Sequence, residues 1–404
     1  MKRISVFLCL TLLLSLLAFF PSPKGFVDDG IKVGVFYYPW YKEGFGNYHW
    51  NGTPPSPLPS TWWTVVDKPV LGWYDSSNRT VIDQHLNWFR DTGIDFGIIS
   101  WWGPDSYENI CTRVLFDETS SYAPWFRWVI SIEDCYKVNS QSLSYLATLR
   151  DYVYSNYVSV YHAIWLNEPS SGKPYLFWMN AHDLENETVC NEAKSDLRFV
   201  TRVLGQADYS DWKTWTPYTY GNATSAFPPS LEGFMCVMPK YDETRLDPNG
   251  TMEQGLPRNR CADPFLNGSD GQNVDPLNGE LLYDEQWQEV LSNASAGKVK
   301  YVAIATWNDF TERTQIEPCY DNTSAYKDYP SFLLDKTRYY TGQLRLISLQ
   351  AQIDSLNNQI NDTLHAEYAL VAAAVILAAA TVYLGIRKEK TKQGTTETRT
   401  PKKA

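Results

Sequence analysis

Seven short apolar runs recur along the chain, and they limit the fold more than any other feature. Ile31–Tyr38, Phe96–Ser100, Arg127–Ile132, Pro174–Met179, Phe199–Leu204, Gly233–Val237 and Tyr301–Thr306 read as buried strands. Helical patterns lie between them. Asp75–Thr92 carries Val81, Ile82, His85, Leu86, Trp88 and Phe89 on one broad face and stops at Gly93. Ser142–Tyr157 and Asp284–Ser292 are further helical stretches. Strands alternating with helices mean parallel β/α construction. Seven or eight such units in about 310 residues favour a (β/α)8 TIM barrel over an open doubly wound sheet. No glycine-rich phosphate loop follows the first strand, which weakens a nucleotide-binding sheet. The long Gly/Pro/Asn-rich stretches Tyr209–Ser230 and Asp242–Asn278 suit a cleft wall or lid.

The strand ends carry the chemistry. The first runs into Tyr37-Tyr38-Pro39-Trp40-Tyr41, with His49-Trp50 downstream; others end on Trp101-Trp102, on Glu133-Asp134 and on Trp307-Asn308-Asp309. In a barrel these ends gather at one face, where catalytic loops sit. The last run is the most telling: Tyr301–Ala305 is fully apolar, and Thr306 to Glu317 is almost wholly polar, including Gln315. Aromatic rings around carboxylates suit a glycosidase, in which one carboxylic acid protonates the leaving oxygen and a second carboxylate acts from the other side. Asp309 and Glu312 are the expected reacting pair. Tyr37, Tyr38, Trp40, Tyr41, His49, Trp50, Trp101, Trp102, Glu133, Trp307, Asn308, Gln315 and Glu317 are the expected sugar contacts. Aromatic content of 15%, with 16 Trp and 27 Tyr, leans the same way, because indole and phenol faces stack on sugar rings. The plainer alternatives are aromatics filling a large core and a solvated polar loop after an ordinary strand. Asn167-Glu168-Pro169 resembles the acid/base motif of another glycosidase clan, but it precedes a Ser-Ser-Gly turn and reads as a loop. A net charge of −11 argues against a nucleic-acid partner. No Cys or His spacing suggests a metal site, and no cofactor is expected.

The two ends point to export and anchoring. Lys2-Arg3 followed by uncharged Ile4–Phe20 has the outline of a signal peptide over residues 1–24. Beyond Cys9, six cysteines remain: Cys111, Cys135, Cys190, Cys236, Cys261 and Cys319. An even number fits up to three disulfides with fifteen pairings. Nine N-x-S/T sequons begin at Asn51, Asn78, Asn186, Asn222, Asn249, Asn267, Asn293, Asn322 and Asn361. Residues 368–386 hold no charge and, as a helix, span about 28 Å, close to a hydrocarbon core. Arg387, Lys388, Lys390 and Lys392 follow, so the basic tail, 387–404, is expected in the cytosol and the domain at 31–340 outside a cell membrane crossed once. Between them, within 344–366, Leu346, Leu349, Ile353, Leu356 and Ile360 form a heptad seam, a coiled-coil stalk through which the protein would form a homo-oligomer; a single helix lying on the domain is the alternative.

Four blocks resemble glycoside hydrolase family 99, the endo-α-mannosidases and their relatives. They are Val33–Tyr41 with His49-Trp50; Leu71–Ser76, Val81–His85 and Gly93–Trp102; Gly172–Phe177; and Asn308–Glu317, NDFTERTQIE, against a family pattern NEWxEGTQIE. The resemblance spans about Lys32 to Tyr340. It implies a (β/α)8 barrel that cleaves α-mannoside-type bonds with retention. One carboxylate deprotonates the sugar's own 2-hydroxyl, which attacks the anomeric carbon; the second is general acid, then base. By position, Asp309 matches the base, Glu312 the acid and Glu133 a sugar-binding carboxylate. The chain departs from the pattern where Asp309 replaces Glu, Phe310-Thr311 replace the usual Trp-His and Arg313 replaces Gly, which implies a different substrate pocket. The alternative is a non-catalytic glycan-binding or cell-envelope protein on a degenerate barrel.

Overall fold

The computed structural model describes residues 30–42, 49–50, 67–133, 143–179, 197–202, 233–239, 282–311, 313–320 and 329–396. Seven strands are found where the apolar runs place them: β1 Lys32–Tyr37, β2 Phe96–Trp101, β3 Arg127–Ile132, β4 Tyr175–Met179, β5 Arg198–Arg202, β6 Phe234–Val237 and β7 Tyr301–Ile304. They make one sheet in the order β5-β4-β3-β2-β1-β7-β6, parallel throughout. A two-residue antiparallel ribbon, Lys68–Pro69 with Cys319–Tyr320, lies outside it.

The sheet is strongly curled. In a flat sheet β4 and β7, four spacings apart, would be separated by about 19 Å. Here the rings of Tyr175 on β4 and Tyr301 on β7 have centroids 5.8 Å apart and hydroxyls 3.4 Å apart. Phe234 of β6 stacks on Tyr301 at 4.5 Å and meets Phe177 of β4 at 5.9 Å. The concave face is therefore filled by rings from strands far apart in the sheet order, as in a barrel interior. Closure is not seen among the described residues: β5 and β6 are the two edges, and 203–232 between them lie outside those residues. A curled parallel half-barrel is what the structure shows of the expected eight-unit barrel.

Helices cover the convex face. α1, Arg79–Thr92, follows β1; α2, Tyr107–Tyr122, follows β2; α3, Leu143–Val153, follows β3 and runs into a π turn at Tyr154–Val158; α4, Leu282–Ser295, precedes β7. α1 starts four residues later than the apolar pattern suggests. Asp75 Oδ1 accepts from the Ser77 N–H and hydroxyl, which holds a turn there, and Asn78 caps the helix through Thr80 N. Gly93, at φ 80°, ends it. α1 buries Val81, Ile82, Leu86 and Phe89 against the sheet, each stabilising by about 1.5–3 kcal/mol. The helical pattern missed α2, although Ser106 accepts from Asn109 N as an N-cap three residues before it. Two glycines make room for rings on adjacent strands: a Cβ at Gly34 would lie 2.2 Å from the Phe96 ring, and one at Gly97 would lie 2.0 Å from the Trp128 ring.

No disulfide joins Cys111, Cys236 and Cys319, the described cysteines; Cys135, Cys190 and Cys261 lie outside the described residues. Among the described residues the expected disulfide framework is therefore not found, and the pairings among Cys135, Cys190 and Cys261 lie outside them. Burial pushes the Cys111 thiol up to about 12, so it is protonated at neutral pH. The chain divides into two units, Met1–Arg345 and Leu346–Ala404. The second consists of the remainder of α5, Phe332–Thr396, and the residues that follow it. Leu346, Leu349, Ile353, Leu356 and Ile360 are all exposed, and α5 is the one described helix long and apolar enough to cross a membrane.

Gly97→Ala would force the Trp128 ring or the β2 backbone to move, and overpacking of this kind costs about 1–3 kcal/mol. Thermal unfolding of this variant is expected at a clearly lower temperature than the parent, whereas Gly172→Ala, where a Cβ meets nothing within 4 Å, is expected to show only the smaller cost of its positive φ. Equal melting temperatures for the parent and Gly97→Ala would contradict this packing.

Candidate active site

The segment after β7 is folded back on itself. Trp307 N donates to Phe36 O at 2.7 Å, extending the β1–β7 ladder past the end of the strand. The Ala305–Thr306 peptide is cis. The return limb then pairs with the outgoing one: Thr306 N to Thr314 O at 2.9 Å, Ile316 N to Thr306 O at 3.0 Å and Glu317 N to Trp307 O at 2.8 Å. The result is a closed loop standing on the carboxyl ends of β1 and β7, with Asp309 to Thr311 and Arg313 at its tip. Glu312 lies outside the described residues.

Asn308 ties the loop to β1. Its Oδ1 accepts from Tyr38 N at 2.8 Å and its Nδ2 donates to Tyr38 O at 3.0 Å, so one carboxamide satisfies both backbone groups of a residue just past the strand. The Tyr41 hydroxyl donates to Asn308 O at 2.6 Å and accepts from Phe310 N at 3.0 Å. Burial, and then the charge of Asp309, hold the Tyr41 phenol protonated well above its usual range. Asp309 itself is buried. Its N–H donates to Thr306 Oγ1, and its Oδ1 accepts from both Thr311 N at 3.1 Å and Thr311 Oγ1 at 2.6 Å.

A second tether is ionic. Arg313 sits at φ 55°, in the left-handed region that favours glycine. Its guanidinium is buried and bonds Asp67 through Nε and Nη2, each at 3.1 Å, and Gln315 Nε2 adds a bond to Asp67 at 2.6 Å. A fork of this kind suits arginine and not lysine. A third tether is buried deeper. Glu317 Oε2 accepts from the Tyr74 hydroxyl at 2.7 Å, and Oε1 lies 3.3 Å from His85 Nε2. Tyr74 in turn receives Asn308 Nδ2 at 3.2 Å, and His85 Nδ1 lies 3.1 Å from the Tyr37 hydroxyl.

The concave face contributes a carboxylate and rings. Ser131 pairs in register with Phe177, an inward ring, so Glu133 two residues on faces inward as well. Glu133 is buried, and its N–H donates to Trp101 O. Trp102 lies half-buried beside it on the same face, with Nε1 on Ser100 Oγ at 3.0 Å. Tyr38 and Trp40 meet at 4.4 Å, and Trp40 stacks flat on His49 at 4.0 Å and 7°. Burial among these rings pushes the His49 pKa down to about 4, so the imidazole is neutral at physiological pH. Tyr41 stacks on Trp50 at 3.8 Å, and both rings back onto Phe310.

The expected sugar contacts thus divide by place. Tyr38, Trp40, His49, Trp102 and Glu133 lie at the concave, carboxyl-end face. Tyr37 and Trp307 pack outward against α1, through His85 and Phe89, and Trp101 packs against Asn109 of α2. Asn308, Gln315 and Glu317 hold the loop, and Tyr41 and Trp50 support it. Glu168 is at the opposite end: it pairs with Arg198 at the start of β5, and its N–H bonds Lys173 O just before β4. Asp67 had no expected role; Tyr74, His85, Thr311 and Arg313 stood within the blocks of resemblance, His85 also on an apolar helix face, without a role of their own. A histidine and a tyrosine among apolar neighbours were the available signals for His85 and Tyr74. Among the described residues no group of three or more His, Cys, Asp or Glu side chains could hold a metal ion.

No protein-family model matches the chain, and no curated protein matches it. Among solved structures, a GH99 endo-alpha-mannosidase from Bacteroides thetaiotaomicron in complex with Bis-Tris-propane matches at TM-score 0.55 and 19% identity, over 80% of this chain and 98% of that one. A second structure of a GH99 endo-alpha-mannosidase from the same organism matches at TM-score 0.53 and 19% identity, over 80% and 99%. The chain therefore has a GH99-like, glycoside-hydrolase-type fold.

The Arg313–Asp67 tether makes a stability prediction. Arg313→Ala leaves a buried carboxylate without its fork and keeps the left-handed strain, at a cost of about 3–5 kcal/mol. Arg313→Gly loses the same pair but relieves the strain, and is expected to be about 1 kcal/mol more stable than Arg313→Ala in denaturant unfolding. Adding Asp67→Asn to Arg313→Gly is expected to recover further stability by removing a buried charge that has lost its guanidinium. Equal stabilities for the Ala and Gly variants would contradict the strained position.

Proposed function

We propose that this chain is an extracellular, membrane-anchored glycoside hydrolase that cleaves α-mannoside-type or related bonds with retention. The observation that carries the reading is the place of Asp309: buried in a braced loop at the carboxyl end of the last strand, on a fold like that of GH99 endo-alpha-mannosidases. In the proposed reaction Asp309 takes the proton of the sugar's 2-hydroxyl, whose oxygen attacks the anomeric carbon and gives an epoxide-like intermediate. Glu312 protonates the leaving oxygen, then removes a proton from the water that attacks the anomeric carbon; as that carbon's bond to the 2-oxygen breaks, the 2-oxygen takes its proton back from Asp309. Glu133 and the rings of Trp40 and Trp102 hold the sugar from the concave face.

The rest of the layout belongs to the same proposal: a leader over 1–24, the hydrolase domain over 31–340, a stalk over 344–366, a membrane span over 368–386 and a cytosolic basic tail over 387–404. The exposed seam of Leu346, Leu349, Ile353, Leu356 and Ile360 supports self-association through the stalk, and the apolar helix that follows supports anchoring. The glycan partner lies outside the cell.

One observation favours a second reading, a glycan-binding protein without turnover. The Asp309 side chain is one methylene shorter than the family's glutamate, and its Oδ1 is already bonded twice by Thr311. A reacting group displaced by about 1 Å loses on the order of 10²-fold in rate.

Turnover of an activated aryl α-glycoside separates the two. Glu312→Gln is expected to lower kcat by roughly 10²–10⁴-fold with the melting temperature unchanged, and Asp309→Glu is expected to raise it. Parental activity in Glu312→Gln would overturn the assignment. Glycan binding with no hydrolysis in either the parent or Asp309→Glu would establish the second reading.

A further inference from the structure

Glu317 is a buried carboxylate at the root of the loop, and no step of the proposed reaction uses it. Both of its oxygens face protein groups. Oε2 accepts from the Tyr74 hydroxyl at 2.7 Å, and Oε1 lies 3.3 Å from His85 Nε2. Burial, and next the charge of Glu317, hold both the Tyr37 and the Tyr74 phenols protonated well above their usual range. Each hydroxyl therefore has a proton to give, and a carboxylate only accepts.

These facts fix a direction for the Tyr74–Asn308 branch of the network. Tyr74 gives its proton to Glu317, so the lone pairs of its oxygen are what Asn308 meets. Asn308 must then turn its amino group toward Tyr74, at 3.2 Å, and toward Tyr38 O, which leaves its carbonyl oxygen for Tyr38 N. That is the one orientation able to satisfy both backbone groups of Tyr38. On the other side, His85 Nε2 approaches Glu317 Oε1 to 3.3 Å and Nδ1 pairs with the Tyr37 hydroxyl at 3.1 Å; a proton on Nε2 would face Glu317 and leave Nδ1 to accept from Tyr37. Helix α1 and the loop from Tyr74 thus converge on one acceptor, and the next residue after Asn308 is Asp309.

We propose that Glu317 is a positioning residue: as terminal acceptor of the Asn308–Tyr74 and Tyr37–His85 chains, it sets the orientation of Asn308 and so the backbone from which Asp309 acts. This rests on the reading of Asp309 as the reacting base. It removes Glu317 from the sugar contacts and gives it the task of orienting the loop. A glutamine at this position cannot do the same. If its oxygen accepts from Tyr74, its amino group faces His85 Nε2 and drives the ring proton to Nδ1, where it collides with the Tyr37 donor. If the amide is reversed, its amino group faces Tyr74, and the Tyr74 proton is turned toward the amino group of Asn308.

The test combines kinetics with the protonation of one ring in the full-length chain. Imidazole nitrogen NMR of the parent is expected to show His85 protonated on Nε2. Glu317→Gln is expected to move that signal and to lower kcat about 10²-fold with KM within about twofold. Tyr74→Phe, which keeps the packing and cuts only the link to Asn308, is expected to leave His85 as in the parent, lower kcat about tenfold and shift the backbone amide resonances of Asn308 and Asp309. A parental His85 carrying its proton on Nδ1, an unchanged kcat in Glu317→Gln, or a rise in KM alone would overturn the proposal, the last returning Glu317 to sugar contact. If the parent turns over no glycoside, the reading of Asp309 fails, while the His85 proton and the Tyr74→Phe amide shifts still decide whether Glu317 orients Asn308.

Discussion

The carboxamide of Asn308 on the backbone of Tyr38 is the contact on which the geometry of the site depends. The last strand of the sheet ends at Ile304, and the chain must then leave the ladder without abandoning the first strand. Trp307 N continues the ladder to Phe36 O, and Asn308 then serves Tyr38 with a side chain in place of a peptide group. A peptide-like side chain can satisfy a backbone pair while the main chain turns elsewhere. That freedom is what allows the next residue, Asp309, to sit over the strand ends while β1 remains hydrogen-bonded.

Such a loop needs bracing, since connecting segments ordinarily lie on the surface and move. Here the bracing is polar and buried. The Arg313–Asp67 fork holds the tip, and the Glu317 pair with Tyr74 and His85 holds the root. Buried ion pairs contribute little net stability, because desolvation offsets their attraction, but they restrict geometry strongly. The use of several buried charges within one short loop therefore points to fixed placement rather than to stability as their consequence. The left-handed Arg313 fits the same account: a glycine would relax the backbone there, and the arginine exchanges that relaxation for an anchor on Asp67.

The strands were legible because a parallel sheet covered on both faces needs unbroken apolar runs, and these ended close to where the strands end. Helix α1 was legible from its apolar face, but not its start, which the side chain of Asp75 decides by holding a turn. Helix α2 was not legible, because Asn109, Thr112 and Thr119 are buried polar groups that blur its stripe. At the site, the polar run after the last strand was legible as a segment, but not which of the aromatic rings point into the concave face. Which face of a strand a tryptophan occupies follows from register, and register follows from pairing partners far away: Trp101 and Trp307 lie outward against helices, whereas Trp102 lies inward. Tyr74, His85 and Asp67 had no role of their own for the related reason that their partners, Glu317, Asn308 and Arg313, are more than two hundred residues distant in the chain.

The geometry joins a GH99-like fold to one buried aspartate held by a braced loop. The most direct measurement of what this arrangement does is proton NMR of the first sugar released by the full-length protein from an aryl α-mannoside, before the product mutarotates. The account predicts that the α-anomer appears first, since attack by the sugar's own 2-hydroxyl followed by attack of water inverts the anomeric carbon twice. The β-anomer appearing first, or no sugar released at all, would contradict it.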